Sequence, residues 1–240
     1  MITPKDILGH LPGGRILDVA TGSGSFIHFL LEGLPTYTEI IGLDVSERAA
    51  AAFATAFSDK PAIRFVSGDA MALSFDASSF DLVCIANSLH HFDDPVALLQ
   101  QMLRVLRPGG HLLVAEMICD GQTETQLTHV YLHHWWAAID SLNGITHHET
   151  YQREALVIMV ENLGLEELVF YDLADTSDDP KDPALLTQLD PVFDRYLQRA
   201  AGHPELQARG AELRERVLNT GFHSATTLVA LGGKPYVRTE

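Results

Sequence analysis

Asp18, Asp44, Asp69 and Asn87 each sit in or just after a short apolar run, and Gly22 and Gly24 stand between the first two. Glycines in such a turn let the backbone pass close to a ligand, and the helical pattern that follows presents free N–H groups behind it. Asp44 comes 26 residues after Asp18, where a carboxylate can accept both hydroxyls of a ribose. Histidine supplies the second set of reactive groups, with twelve copies, five of them between 129 and 148. On a helix, His129, His133, Trp136 and Asp140 would share one face, at spacings of four, three and four, while His134 and Trp135 point elsewhere. Imidazole titrates near neutrality, so His133 is a candidate general base, with His129 and Trp136 candidates for holding an acceptor molecule. Histidines four apart can also share a metal ion, but without a Glu motif or a third ligand no metal is assigned. His147 and His148 read as a solvated cap before a helix, and His90 as part of the wall of the ligand cleft.

The elements that must position these groups alternate. Strands are expected over 15–20, 39–44, 63–66, 80–86 and 111–115, with helices between them. Phe26, Phe29 and Leu30 mark the apolar side of the first helix. Ser46 can cap a helix from Glu47, and Asp94-Pro95 starts another over 96–106. Continuous apolar strands separated by helices imply a parallel sheet covered on both faces, and ligands bind such a sheet outside the carboxyl ends of its strands. Beyond 120 the chain turns more helical. Helices are expected over 122–142 and 150–163, late strands over 167–172 and 225–231, and two amphipathic helices between those strands. About fourteen residues precede the first strand, too few for an N-terminal lid.

Composition narrows the partners. The chain has 240 residues and a net charge of −16, from 16 Lys and Arg against 32 Asp and Glu. Phosphodiester backbones need basic side chains to neutralise them, so nucleic acid is excluded as the expected partner in favour of a small molecule. Cys84 and Cys119 are two reduced thiols, too few for an iron–sulfur cluster or a disulfide framework. No apolar stretch is long enough to span a membrane, the N-terminus is not signal-like, and the expectation is a cytoplasmic protein. A homodimer is left open. Gly22-Ser-Gly24-Ser-Phe-Ile27 ends in isoleucine where a dinucleotide fingerprint needs a third glycine, which weakens a nicotinamide-dependent oxidoreductase.

Four segments in order, Ile16-Leu-Asp-Val-Ala-Thr-Gly-Ser-Gly24, Ile41-Gly-Leu-Asp-Val-Ser46, Phe80-Asp-Leu-Val83 and Leu106-Arg-Pro-Gly-Gly-His-Leu-Leu-Val114, resemble the motifs of class I S-adenosylmethionine-dependent methyltransferases. The subgroup resembled is the small-molecule, type 11 enzymes akin to those of quinone biosynthesis. The resemblance implies an α/β, Rossmann-like fold, a mostly parallel seven-stranded sheet with its last strand antiparallel and helices on both faces. It implies S-adenosyl-L-methionine as cofactor and S-adenosyl-L-homocysteine as product. Asp18, Ala20 and the Gly22–Gly24 turn would meet the methionine half. Asp44 would take the ribose and Val45 the adenine face, and Asp69 with Ala70 the adenine amino group. Asn87 would lie near the methionine carboxylate or amine, with His90 beside the cleft. Thr21 departs from the small Cys or Gly of many relatives. The chain reads as one domain over 1–240, with a cofactor core over 13–118 and helical lid insertions over 120–148 and 175–223.

No Asn-Pro-Pro-Tyr-like segment follows the fourth strand and no Pro-Cys nucleophile exists. In-line transfer to a small O, N, S or C nucleophile is therefore the expected reaction, and alignment supplies most of its acceleration. The alternative is a non-catalytic, cofactor-binding subunit of the same fold.

Overall fold

Each expected strand forms. The computed structural model describes residues 2–236, apart from the side chain of Leu186, so the ends of the expected 1–240 domain lie outside the described residues. Strands β1 (Arg15–Val19), β2 (Glu39–Asp44), β3 (Ile63–Ser67), β4 (Phe80–Ala86), β5 (Leu106–Met117), β6 (Glu166–Leu173) and β7 (Thr227–Gly233) make one sheet, in the order β3-β2-β1-β4-β5-β7-β6. The four pairings among β1 to β5 are parallel, and β7 runs antiparallel to both β5 and β6. The turn expected at Arg107–Gly110 lies inside β5 as an excursion: Phe80 pairs with Leu106, and Leu82 with His111. Gly109, at φ 73°, makes that excursion possible.

Side chains alternate across this sheet with the period of two that strand geometry imposes. Leu17, Val19, Val83 and Ile85 face the core shared with α4 (Pro95–Val105) and α6 (Arg153–Glu161). Ile16, Leu82 and Cys84 face the opposite core, closed by α1 (Pro4–Leu8), α2 (Ser25–Gly33) and α3 (Glu47–Ala56). Each such aliphatic side chain, fully buried, contributes about 1.5–3 kcal/mol. One expectation changes here. Ile27 and Leu30, three apart, take the fully buried positions on α2, while Phe26 and Phe29 are rotated away and only half-buried. α1 is unforeseen: Thr3 caps it through a capping box with Asp6, and it packs along α2 at Gly33.

A third layer is built from α5 (Glu124–Leu142), α7 (Pro183–Arg199) and α8 (Pro204–Asn219). β5 and β6 point the same way, so the chain leaves both at the carboxyl edge of the parallel strands and enters β7 from that edge. Helices inserted there are held beside the strand ends. Leu132, Trp135 and Ile139 of α5 pack with Phe193 of α7 and Leu213 and Val217 of α8, and the Trp135 indole donates to the Leu206 carbonyl at 2.8 Å. Gly210 of α8 lies so close to Trp135 that a Cβ there would overlap the indole ring. Alanine gains roughly 1 kcal/mol over glycine as a helix former, yet Gly210→Ala is expected to lower the urea midpoint, because overpacking a closed contact costs about 1–3 kcal/mol. An unchanged or higher midpoint would show that the indole moves freely. Among the described residues no helix is long and apolar enough to cross a membrane.

Candidate active site

β1 ends in a loop whose backbone only certain residues tolerate. Gly22 (φ 55°) and Gly24 (φ 88°) are left-handed, and Ala20 holds φ 54° without being glycine. A Cβ on Gly24 would overlap the Phe57 ring, whereas Gly22 faces open space, so conformation alone requires glycine at Gly22. Asp44, at the end of β2, ties this loop down. Its Oδ2 accepts the Gly22 N–H at 2.9 Å and its Oδ1 the Ser46 N–H at 2.9 Å. Each carboxylate oxygen keeps a further lone pair for a ligand. Asp44, Val45, Asp69, Ala70, Ala20 and Phe92 line a cleft of about 160 Å³. Val45 is 69% exposed on its rim. Asp69 uses Oδ1 to accept the Met71 N–H at 2.8 Å. Phe92 was not expected, and an aromatic shortly after a strand-end turn is the one signal that could have singled it out.

A second cleft, of about 410 Å³, lies on the other side of the loop, with Asp18, Gly22, Phe26, Phe29, Asn87 and Ser88 among its walls. Phe26 and Phe29 stack with ring centroids 5.1 Å apart. Thr21 has a specific function here, since its hydroxyl donates to Asp18 Oδ2 at 2.5 Å. The Cys84 thiol donates to Asp18 Oδ1 at 3.5 Å. Two neutral donors do not compensate a fully buried carboxylate, and desolvation raises Asp18 from its ordinary 3.8 to about 7. Cys84, buried against that carboxylate, is pushed up as a thiol.

Asn87, in the left-handed region at φ 46°, lines this cleft and also a chamber of about 400 Å³ beside it. His90, His91, Met117, His129 and His133 line the chamber, together with Ser224, Ala225 and Thr227. His90 is thus part of the chamber wall rather than of the two clefts. His129 Nδ1 accepts the Ala225 N–H at 3.0 Å, which leaves Nε2 to carry the ring proton. Trp136 shares the helix face with His129 and His133 but does not line the chamber; it stacks on Tyr196 at 5.7 Å.

His147 departs from the solvated cap expected of it. It is 6% exposed and sits in a chain of buried polar groups. His133 Nε2 lies 3.2 Å from His90 Nε2 and 3.2 Å from His147 Nε2. His90 Nδ1 is 2.9 Å from Glu116 Oε1, and His147 Nδ1 is 2.7 Å from Asp140 Oδ2. Asp140 also accepts the Tyr196 hydroxyl at 3.1 Å and pairs with Arg199. Glu116 was missed as well; it is 0% exposed and accepts the backbone N–H groups of Leu89 (2.8 Å) and Met117 (3.1 Å). A charged residue ending the apolar run Leu112–Ala115 was its signal, since such a group is buried only with partners. Burial, then His90 and His147, push His133 down to about 2, and burial pushes His129 to about 4. A general base works best near the operating pH, so His133 as it stands offers a neutral lone pair rather than proton uptake.

Residues 17–114 match the family described as a methyltransferase domain. Over that span the chain is similar to a methyltransferase domain. The match begins in β1 and ends in β5, so it holds both clefts and stops short of the chamber residues from Met117 onward. Demethylmenaquinone methyltransferases are similar to it: that of Renibacterium salmoninarum is 39% identical over 112 residues, 46% of this chain and 44% of the relative. That of Deinococcus radiodurans is 41% identical over 112 residues, 46% of each chain. The similarity thus spans under half the length of these relatives. In fold, the domain and its helical additions resemble YcgJ of Bacillus subtilis, with TM-score 0.60, 17% identity and 94% of both chains covered. They also resemble a phosphoethanolamine N-methyltransferase of Haemonchus contortus bound to S-adenosylhomocysteine, with TM-score 0.58, 17% identity, and 94% and 50% covered. A [4+2]-cyclase, SpnF, shares the fold at TM-score 0.60 and 19% identity, covering 97% and 78%.

Proposed function

We propose that the protein is an S-adenosylmethionine-dependent methyltransferase acting on a small molecule. The observation that carries this reading is Asp44, a carboxylate tied by two backbone N–H groups at one end of a cleft system that continues past Asn87 into the chamber. The residues present suit the cofactor. Asp44 takes the ribose hydroxyls, Val45 and Phe92 flank the adenine, and Asp69 with Ala70 reads its amino group. The Gly22–Gly24 turn and Ala20 let the chain pass close to the methionine half. Asp18 is a buried carboxylate whose neighbours leave its charge uncompensated, which suits a cationic ligand. When bound, the cofactor supplies a methyl group on a sulfonium, already activated for displacement by a lone pair.

What the chain contributes is alignment and exclusion of water. Residues 13–118 hold the cofactor, and the insertions over 120–148 and 175–223 cover the acceptor. Asn87 stands where the cleft meets the chamber, and His129 offers an N–H from the chamber wall. About 400 Å³ falls in the range of pockets that enclose drug-sized molecules, and a net charge of −16 disfavours nucleic acid. The matched relatives are named for a demethylmenaquinone substrate, but the domain match ends before the chamber, so the acceptor is assigned only as a small molecule.

Calorimetric titration of the full chain with S-adenosylmethionine and with NAD tests the cofactor, with binding expected for the first alone. An acceptor panel read by S-adenosylhomocysteine release tests the reaction. Cofactor binding without release for any acceptor would favour the non-catalytic alternative, a fair rival because one fold hosts many chemistries.

Asp18 adds a pH signature. Its raised value means the native state holds a proton between about pH 4 and 7 that the unfolded chain has lost. Its contribution to stability is therefore present at low pH and lost as pH rises to about 7. A cationic ligand favours the ionised form, so affinity for S-adenosylmethionine should rise roughly tenfold from pH 6 to 8 and then level off. Asp18→Asn should abolish the slope; a pH-independent wild type would remove Asp18 from the site.

A further inference from the structure

We infer that His90, His133 and His147 form a binding site for a divalent transition-metal ion of the zinc type, in the wall of the chamber. The three rings come from separate elements: the turn after β4, the middle of α5 and the loop between α5 and α6. One ligand nitrogen from each lies within 4.8 Å of the other two. His133 Nε2 lies 3.2 Å from the Nε2 atoms of both His90 and His147. Zinc–imidazole bonds of about 2.0–2.1 Å in a tetrahedron put neighbouring nitrogens about 3.3 Å apart.

Proton counting supports the same occupant. Glu116 and Asp140 each accept from the Nδ1 of their histidine, which leaves His90 Nε2 and His147 Nε2 as lone pairs. His133 Nε2 faces both, yet it carries one hydrogen at most. Between neutral rings, at least one of the two 3.2 Å approaches is then left with no hydrogen between its nitrogens, deep inside the protein. A cation on the three nitrogens removes that conflict. His133 is 8% exposed, and among the described residues its Nδ1 has no hydrogen-bond partner.

The surroundings are those of a metal site. A carboxylate behind a ligating histidine fixes tautomer and ring orientation, and two of the three rings have one. Asp140 is itself held by Tyr196 and Arg199. Three imidazoles leave a fourth position free, the pattern of sites that bind an exchangeable ligand rather than of closed structural ones. His90 and His133 both line the chamber, so that position can take a lone-pair donor from a molecule held there. Neutral imidazoles without thiolates select zinc, copper or nickel over magnesium or calcium.

The test uses the full chain, stripped with a chelator and titrated with zinc(II) alone against a chromophoric chelator. One ion per chain with a dissociation constant below about 1 µM is expected. His133→Ala and His147→Ala should each weaken binding at least about 100-fold, and Asp140→Asn about 10- to 100-fold. His28→Gln, an exposed histidine on α2, should leave it unchanged. Should His133→Ala fail to fold, cobalt(II) alone added to the wild type decides: intense visible bands of a four- or five-coordinate ion support the site. The weak spectrum of the hydrated ion overturns it, as does zinc affinity that His133→Ala leaves intact. These outcomes do not depend on the methyltransferase reading, because metal binding and cofactor binding are measured separately.

Discussion

Asp44→Ala is expected to weaken S-adenosylmethionine binding by at least about 100-fold, with the fold intact. Two effects add. A carboxylate that accepts both ribose hydroxyls makes two charge-assisted hydrogen bonds, each contributing about 1.5–3 kcal/mol. The same carboxylate holds Gly22 and Ser46 through their N–H groups at 2.9 Å, so its removal also frees the loop that must pass close to the ligand. Asp44→Asn keeps one carbonyl acceptor and should fall between the two. Calorimetry measures all three proteins, and circular dichroism checks the fold. An unchanged dissociation constant for Asp44→Ala would remove Asp44 from the ribose site, and with it the observation on which the functional reading rests.

The second large effect concerns stability. Glu116 is completely buried and accepts from the Leu89 N–H, the Met117 N–H and the His90 ring. Glu116→Ala leaves three donors unpaired in the interior at once, each costing about 1–3 kcal/mol. A total near 3–5 kcal/mol is expected, comparable to breaking a buried ion pair. For a chain of this size that lowers the melting temperature by about 10 °C, at roughly 2–4 °C per kcal/mol. Glu116→Gln retains an acceptor of the same shape and should lose less than half as much. Equal losses for the two would show that volume, not hydrogen bonding, matters at this position.

The cofactor half was open to inspection because its signals are local. The first strand, its Asp18 and the glycine turn fall within ten residues, 15–24, and that turn takes left-handed φ at Gly22 and Gly24. The ends of β2 and β4 fall where apolar patterning puts them. Hydrophobicity alone places Phe26, Phe29 and Leu30 on one apolar side but does not set the phase of a helix. The start of α2 at Ser25 does, and it turns Ile27 and Leu30 inward.

The histidines divide along the same line. Helical spacing by itself put His129, His133, Trp136 and Asp140 on one face of α5. It could not say that His90, 43 positions earlier, and His147, beyond the end of the helix, would close on His133 at 3.2 Å. Nor could it show that Glu116, in an apolar strand, and Asp140 would stand behind the two outer rings. Those contacts exist because β4, β5 and α5 meet at the carboxyl edge of the sheet. Sequence alone therefore determined the parallel sheet, the glycine turn and the carboxylates at the strand ends, since each follows from periodicity and backbone sterics within a short segment. Tertiary structure alone decided which imidazoles converge and which tautomers their carboxylates impose, because separate elements must pack before groups so far apart in the chain can share one buried space.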